Sequence, residues 1–550
     1  MICYCRIWGD EMLIKDNQYN IGHICTKQQC EQGHSLKIAF RWIPASGESS
    51  IFTFQNLENQ TNKFSNVLNN LGFCKGDILF TYLPKCPEQF FCFLGTLKKE
   101  VICGTLFSNF GDEALLDRLG DSGAKGVVTK KSFLKKIRRI KPQLPDLEFV
   151  LVVDIEEHQE GGIYSYPKLM AKASEDYVTP ITKPDTPSVL HYTSGSTGKP
   201  KGVLHVHKSI LHQSSTARDI LQLEPDEIYW CTADQGWVTG TSYGIIGPWS
   251  LGVTQVHFGG MYDAEKWFSL LEKEKISIWY SAPTALRMLM QEGQEFYQQF
   301  DLSNLKHIFS VGEPLNPEVI TWARKVLNKD IYDTWFQTET GGIMITNRPG
   351  LDIRPGSMGR PVEGIEPVIL EDTGQPITDG EQGNLCLKPG WPSMFVTYLN
   401  REEAYQQKFI NDHYFTGDTA IKDADGYYWF KGRSDDVINT GGHLISPFEV
   451  ESALLELDEV AESGVIAAPD EVLFEKVVAF VHLIPGIEPS KELEIKLRLY
   501  VSNKVSSIAT PQDLVFIDKI PKNKSGKIMR RVLKARYMGE DEGDISTLEE

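Results

Sequence analysis

The apolar run DILFTYL at residues 77–83 narrows the fold more than any other segment, because it reads as a strand buried on both faces. It follows a stretch with the helical spacing of Leu57, Phe64, Val67, Leu68 and Leu71, and it precedes a second helical stretch, PEQFFCFLGTLKK. Further strand candidates at 126–129 (GVVT), 148–154 (EFVLVVD) and 187–193 continue the alternation. Strands alternating with helices predict a mostly parallel sheet covered on both faces, hence an α/β body. At 550 residues the chain exceeds what one core organises, so several packed layers are expected. No repeat of 20–50 residues and no low-complexity tract interrupts it.

Composition shifts near GRSDD at 432–436. Beyond it lies a smaller α+β pattern: a helix through PFEVESALLEL, strands at VIAAP and VVAFVHL, an amphipathic KELEIKLRLYVSN, a strand LVFIDKI, then a basic loop and a helix. The expected boundary is Asp435, giving domains 1–434 and 435–550.

Charge excludes one class of partner. With 56 basic against 74 acidic residues, a net charge of -18 and a pI near 5.2, the chain is a poor nucleic-acid binder. An anionic ligand must be met by local structure. Ten cysteines (3, 5, 25, 30, 74, 86, 92, 103, 231 and 386) include no C-x-x-C pair and read as reduced thiols. Cys3 with Cys5 and Cys25 with Cys30 lack the further ligands a metal site needs. The N-terminus has no secretory layout, and no stretch reaches the roughly 18 apolar residues that span a bilayer. A cytoplasmic protein without membrane contact is expected, and Met12 is a plausible alternative start.

Residues 193–202, TSGSTGKPKG, follow the strand-like SVLHY and precede VLHVHKSIL, read as a helical stretch. Glycines let backbone approach phosphate oxygens, hydroxyls donate to them and lysines offset their charge. Thr193, Ser194, Gly195, Ser196, Thr197, Gly198 and Lys201 are therefore candidates for a nucleotide's phosphates. The spacing is not that of a Walker A loop, since Gly195 and Gly198 are too close and Pro200 stands where Ser or Thr should follow lysine. His191, His205, His207 and His212 flank the loop, but a hard magnesium ion held by oxygens requires none of them.

The string YTSGSTGKPKGV resembles the signature of the adenylate-forming superfamily of acyl-CoA synthetases, luciferases and peptide-synthetase adenylation domains. The resemblance runs over roughly residues 50–537, through YWCTADQGWVTGTSYG (229–244), WYSAPTALRMLM (279–290), SVGEPLNPEV (310–319), DTWFQTETGG (333–342), GRSDDVINTGGH (432–443) and PKNKSGKIMRRVLKA (521–535). It is nearest to the acetyl-CoA synthetase branch. It implies a large N-terminal domain of doubly wound sheets with a small mobile α+β domain behind it. The implied reaction joins a carboxylic acid to AMP, releasing pyrophosphate, after which coenzyme A displaces AMP.

By that resemblance Glu339 holds the Mg2+ bridging ATP phosphates. Gly312, Glu313 and Pro314, with Asp333, Thr334, Trp335, Phe336, Gln337 and Thr338, wrap the adenine and α-phosphate. Asp418 grips the ribose hydroxyls, with Arg433 beside it. Lys527, which read alone would be a solvated charge, matches the lysine that neutralises carboxylate and α-phosphate together. Asp435 matches the hinge. Gly441, Gly442 and His443 match the segment brought to coenzyme A in the second step, with Thr239 near the same thiol. Val238, Thr239, Val311 and Phe336 match the acyl pocket. The family also makes Lys527 a target for a lysine acetyltransferase and deacetylase.

Several points stay open. The acetyl-CoA synthetase pattern has tryptophan where this chain has Phe336, so acetate competes with propionate or another short acid. It has arginine where this chain has Leu444, and its basic coenzyme A contact near Ser502 is absent, though Lys504 could substitute. The basic stretch at 130–141 reads as a solvated helix face, with Lys135, Lys136, Arg138 or Arg139 as alternative contacts for coenzyme A phosphates. An aromatic or medium-chain acid ligase and an inactive nucleotide-binding regulator are the rival readings.

Overall fold

A computed structural model of the protein describes residues 13–193, 200–434, 436–440, 443–470, 472–523, 527–543, 545 and 548, with the Leu444 side chain excluded. The candidates Ser194, Gly195, Ser196, Thr197, Gly198, Asp435, Gly441 and Gly442, and Met12 with Cys3 and Cys5, lie outside the described residues.

Ile78–Tyr82 is buried at every position and pairs in parallel with Ile102–Leu106 on one side and Gly126–Thr129 on the other. Phe149–Val152 and Ile163–Ser165 extend the parallel run, and Pro187–Thr193 joins Ile102–Leu106. With Lys201–Val206 and Thr397–Tyr398 added antiparallel, this sheet has eight strands. A second sheet of nine strands holds a parallel core of Ile38–Ile43, Thr254–Phe258, Ile228–Cys231, Ile278–Ser281, His307–Val311 and Ile331–Trp335. The α/β expectation is met, with two large sheets.

Helices pack between the sheets for reasons visible in the chain. Phe54–Asn70 starts at a capping box between Thr53 and Asn56 and buries Leu57, Phe64, Val67 and Leu68. Pro87–Lys98 begins with proline in its first turn and is buried on nearly every side. The two helices touch at Gly95, where a Cβ would stand 2.8 Å from the Thr61 carbonyl oxygen.

Two local expectations are corrected. The stretch VLHVHKSIL is not one helix: Lys201–Val206 is a strand and the helix begins at Ser209. The β-branched Val203 and Val206, in a segment paired across to Pro187–Thr193, favour the pleated form over the helical one. A five-stranded antiparallel sheet of Pro367–Leu370, Gln382–Leu387, Phe409–Ile410, His413–Lys422 and Tyr428–Arg433 has no counterpart among the strands expected above. Its half-wet strands carry no continuous apolar run to announce them.

The C-terminal region forms its own sheet from Ile438–Thr440, His443–Ile445, Val460–Asp470, Phe474–Leu483 and Asp513–Phe516, covered by Pro447–Leu455, Lys491–Lys504 and Arg530–Met538. Its buried apolar side chains cluster among themselves. Those of the preceding body form separate clusters.

Candidate functional site

The strands Pro187–Thr193 and Lys201–Val206 form a hairpin in which Thr193 lies opposite Lys201. The short strand Thr397–Tyr398 pairs with Val203 and Leu204, which brings Tyr398 beside this hairpin. The Lys201 ammonium stands 5.4 Å from the Tyr398 ring centre, and the Tyr398 hydroxyl donates to Glu339 Oε1 at 2.8 Å. Burial, and then Glu339 itself, push the Tyr398 hydroxyl far above its ordinary pKa, so it stays a donor. Behind Glu339, buried His205 lies between the carbonyls of Thr338 (2.8 Å) and Ser393 (3.1 Å). Burial lowers its pKa to about 4, so a neutral ring donates to one of these carbonyls.

Asp418 and Arg433 face each other across adjacent strands, His413–Lys422 and Tyr428–Arg433. Register delivers the ion pair, with Arg433 Nη1 2.9 Å from Asp418 Oδ1. The other carboxylate oxygen accepts from Trp335 Nε1 at 3.0 Å and Gln337 Nε2 at 2.9 Å. Gln337 Oε1 accepts in turn from the Tyr414 hydroxyl at 3.0 Å. Trp335 and Gln337 thus anchor Asp418 from the segment that carries Glu339.

At the end of strand His307–Val311 the chain turns at Gly312, whose φ of +99° suits glycine and where an added Cβ would meet nothing within 4 Å. Glu313 accepts from Arg287 (2.7 Å) and from Thr284 (2.8 and 2.9 Å), which fixes its carboxylate, and Pro314 is half-buried beside it. Thr334, opposite Val311 in the sheet, donates to the Ser310 carbonyl at 2.8 Å. Its neighbour Asp333 is buried with Oδ1 unpartnered among the described residues, and burial raises its pKa to about 8.

Phe336 packs edge-on against Tyr243, with ring centres 5.5 Å apart. Tyr243 lies in a wide helical turn, Ser242–Ile246, directly after the helix Val238–Thr241 that carries Val238 and Thr239. Val238, Thr239 and Val311 are buried and Phe336 half-buried.

Lys527 arrives from the C-terminal region. Asn523 clamps its backbone, accepting at Oδ1 from Lys527 N (2.9 Å) and donating its own N–H to Lys527 O (2.8 Å). The residue is reachable by solvent yet deep in a cleft, among Arg433, Asp418, Asp436 and Arg530. Crowding by protein atoms, and then Arg433, lower its pKa, while the two aspartates oppose them. Next to it Arg530 Nη2 donates to both carboxylate oxygens of Glu451, at 2.7 Å each.

The basic stretch at 130–141 forms the helix Leu134–Ile140 over buried Leu134, Ile137 and Ile140. Lys136 donates to the Phe110 carbonyl at 2.8 Å, Arg139 pairs with Asp112, and Arg138 donates to Gln159, while Lys135 is exposed. Lys504 pairs with Glu456 at 2.9 Å. His443, exposed, opens the strand His443–Ile445. Tyr398, Tyr414, Arg287 and His205 took no part in the sequence-level site. They lie 59, 77, 26 and 133 or more residues from the groups they hold, and no local pattern signals such pairings.

A family model described as AMP-binding enzyme matches residues 27–399, and one described as AMP-binding enzyme C-terminal domain matches 449–527. The chain is 44% identical to the acetyl-coenzyme A synthetase of Bacillus subtilis over 533 residues, covering 96% of this chain and 93% of that protein. It is 36% identical to the acetyl-coenzyme A synthetase of Pyrobaculum aerophilum, covering 96% and 85%. Among solved structures, the anthranilate CoA ligase AuaEII in complex with anthranoyl-AMP superposes with a TM-score of 0.87 at 30% identity, covering 96% of this chain and 98% of that one. An acyl-CoA synthetase of Brucella canis superposes with a TM-score of 0.73 at 32% identity, covering 94% of each. The site geometry and these likenesses together show that the chain belongs to the AMP-binding enzyme family.

Proposed function

We propose that this protein ligates a short-chain carboxylic acid, acetate first among them, to coenzyme A through an acyl-adenylate, releasing AMP and pyrophosphate. The observation that carries the reading is the convergence of Glu339, Asp418, Arg433 and Lys527 on one cleft from distant parts of the chain. A carboxylate is a poor acyl donor, and making it an adenylate requires two anions to meet. Lys527 offsets carboxylate and α-phosphate charge, and Arg433, oriented by Asp418, faces the same phosphate. Asp418 accepts from the ribose hydroxyls. Gly312 gives room for the adenine, with Glu313, Pro314 and residues 333–338 around it. Thr193 and Lys201, with residues 194–198, serve the phosphates, and Val238, Thr239, Val311 and Phe336 enclose the acyl group.

A magnesium ion fits Glu339, a hard carboxylate steadied by Tyr398, in a site where no group of three or more His, Cys, Asp or Glu competes among the described residues. Bound there, it would neutralise phosphate charge.

The domains proposed are 1–434 and 435–550, with Asp435 the hinge that carries Lys527 out and Gly441, Gly442 and His443 in towards the coenzyme A thiol beside Thr239. Proline at 435 should leave pyrophosphate exchange intact while thioester formation falls; equal loss of both would count against a rotation there. Acetylation of the accessible Lys527 by a lysine acetyltransferase would remove its charge, and a deacetylase would restore it. The eight described cysteines are unpaired, which supports a cytoplasmic setting. No helix among the described residues is long and apolar enough to cross a membrane.

The reading is tested by AMP release with acetate, propionate, butyrate and isobutyrate. Acid-dependent AMP formation that also requires coenzyme A and favours the shortest acids is expected. No acid-dependent AMP with any of them would refute it.

A further inference from the structure

Lys408 has no part in the roles assigned above. It follows the helix Glu402–Gln406 and is half-buried. Strand His413–Lys422 runs back beside it: the Phe415 N–H donates to the Lys408 carbonyl at 2.7 Å, and the Lys408 ammonium stands 5.9 Å from the Phe415 ring centre. Among the described residues no carboxylate forms an ion pair with it.

Its surroundings are those of the reaction cleft. Tyr405, three residues earlier, packs on Phe395, and Phe395 on Tyr398, each with ring centres 5.0 Å apart. Tyr398 holds Glu339 and lies under Lys201. The Phe395 N–H also donates to the Glu339 carbonyl at 2.9 Å. Lys201 therefore sits over the Tyr398 ring that holds Glu339, and Lys408, over the Phe415 ring, has both Glu339 and Lys201 among its charged neighbours. The charged groups around Lys408 are Glu339, Arg433, Lys201 and Asp418, and burial ahead of all of them lowers its pKa.

A surface lysine normally swings its ammonium into water, and holding one half-buried without a carboxylate partner costs free energy. The local charge explains what could compensate. Lys201, Lys408, Arg433, Lys527 and Arg530 set five positive charges against four negative ones, Glu339, Asp418, Asp436 and Glu451, a local excess of positive charge inside a protein of net charge -18. Such a site suits a polyanion. Arg433 and Lys527 crowd the Asp418 side, whereas Lys201, over Tyr398, and Lys408, over Phe415, lie on the Glu339 side.

We propose that Lys408 is a phosphate-binding residue for the β,γ-diphosphate end of a nucleoside triphosphate and for the pyrophosphate that departs from it. The proposal rests on the adenylation reading and adds a contact to it. Lys408 should touch what leaves and not the AMP that stays.

Titrations of full-length wild type and Lys408→Gln with ATP, AMP and inorganic pyrophosphate separate these ends. The variant should bind ATP and pyrophosphate about tenfold or more weakly, the scale of one lost charge-assisted hydrogen bond, while AMP binding stays within about twofold. Lys408→Arg should recover most of the loss. If Lys408→Gln melts well below wild type, Lys408→Met, which keeps an apolar stem on Phe415, replaces it in the same titrations. Unchanged ATP and pyrophosphate affinities would overturn the proposal. So would an equal loss for AMP, which would mean Lys408 acts through Asp418 or the fold. Wild type that binds no nucleotide would refute the adenylation reading and the proposal together, whereas normal wild-type binding with an unaffected variant refutes the proposal alone.

Discussion

The body of the protein and its C-terminal region contribute to the cleft in opposite ways. On the body side, Asp418 is locked by Arg433, Trp335 and Gln337, and Glu339 by Tyr398, with both carboxylates carried between paired strands. On the C-terminal side, Lys527 hangs on a segment steadied within its own region, by the Asn523 clamp, a Lys522–Glu462 pair and the nearby Arg530–Glu451 pair. Among the described residues, what joins the two regions is mostly polar: Lys431 to Glu449 at 2.5 Å and Asn316 to Ser452 at 3.1 Å, with a ring contact between Phe430 and Phe448. Apolar cores cannot be unmade cheaply, but polar pairs of this kind trade readily for water. The difference teaches that the acidic side of the cleft is fixed by its own sheets, whereas Lys527 is held within a region joined to them mainly by polar contacts.

The largest effect should come from removing the Lys527 ammonium. Lys527→Ala should lower acetate-dependent ATP–pyrophosphate exchange by about 10²–10³ or more, the typical loss when one preorganised charge is removed from a reacting centre. Given preformed acetyl-AMP and coenzyme A, the same variant should make the thioester at near wild-type rate. Parallel collapse of both steps would break the contrast between the two sides of the cleft.

Asp418→Asn probes the fixed side. Removing one partner of a buried ion pair commonly costs about 3–5 kcal/mol; Arg433 is partly exposed, so about 2 kcal/mol of stability is expected here, together with weaker ATP binding. Denaturant unfolding with and without ATP measures both. Wild-type stability and affinity would show that the wall is not preformed by this pair.

Phe336→Trp sharpens the comparison within the fixed part. An indole against Tyr243 should fill the acyl pocket and raise the acetate-to-butyrate ratio of kcat/KM about tenfold, since a methylene in an apolar pocket is worth about 1–3 kcal/mol. A ratio that stays put removes residue 336 from the pocket.

The smallest effect concerns Asp333. Its pKa, raised to about 8 by burial, keeps it protonated in the folded protein where the unfolded chain is ionised. Between about pH 4 and 8 the folded state binds the extra proton, so this group's contribution to stability falls as pH rises. Asp333→Asn should flatten that decline, seen as a melting temperature that drops a degree or two less between pH 6 and 8. Identical pH profiles would place the proton elsewhere.

Legibility in the sequence followed the range of the interaction. Buried strands such as Ile78–Tyr82 announce themselves by local apolar runs, and the helices Pro87–Lys98 and Lys491–Lys504 by spacing and start signals. The antiparallel sheet that holds Asp418 opposite Arg433 did not, because its strands are short or half-wet and its pairings span up to tens of residues. VLHVHKSIL misled because a short apolar run fits helix and strand alike until a partner strand is known.

The sequence by itself determined the α/β class, the small α+β region at the end, and which residues to suspect, since phosphate-loop chemistry and motif order are properties of the chain. Tertiary structure alone decided which of those residues meet. Tyr398 reaches Glu339 because a two-residue strand pairs with Val203 and Leu204. Asp418 meets Arg433 through sheet register, and Lys408 lies over Phe415 with Lys201 among its charged neighbours. Each depends on contacts between segments far apart in sequence, whose free energy is paid out only when both sides are already folded.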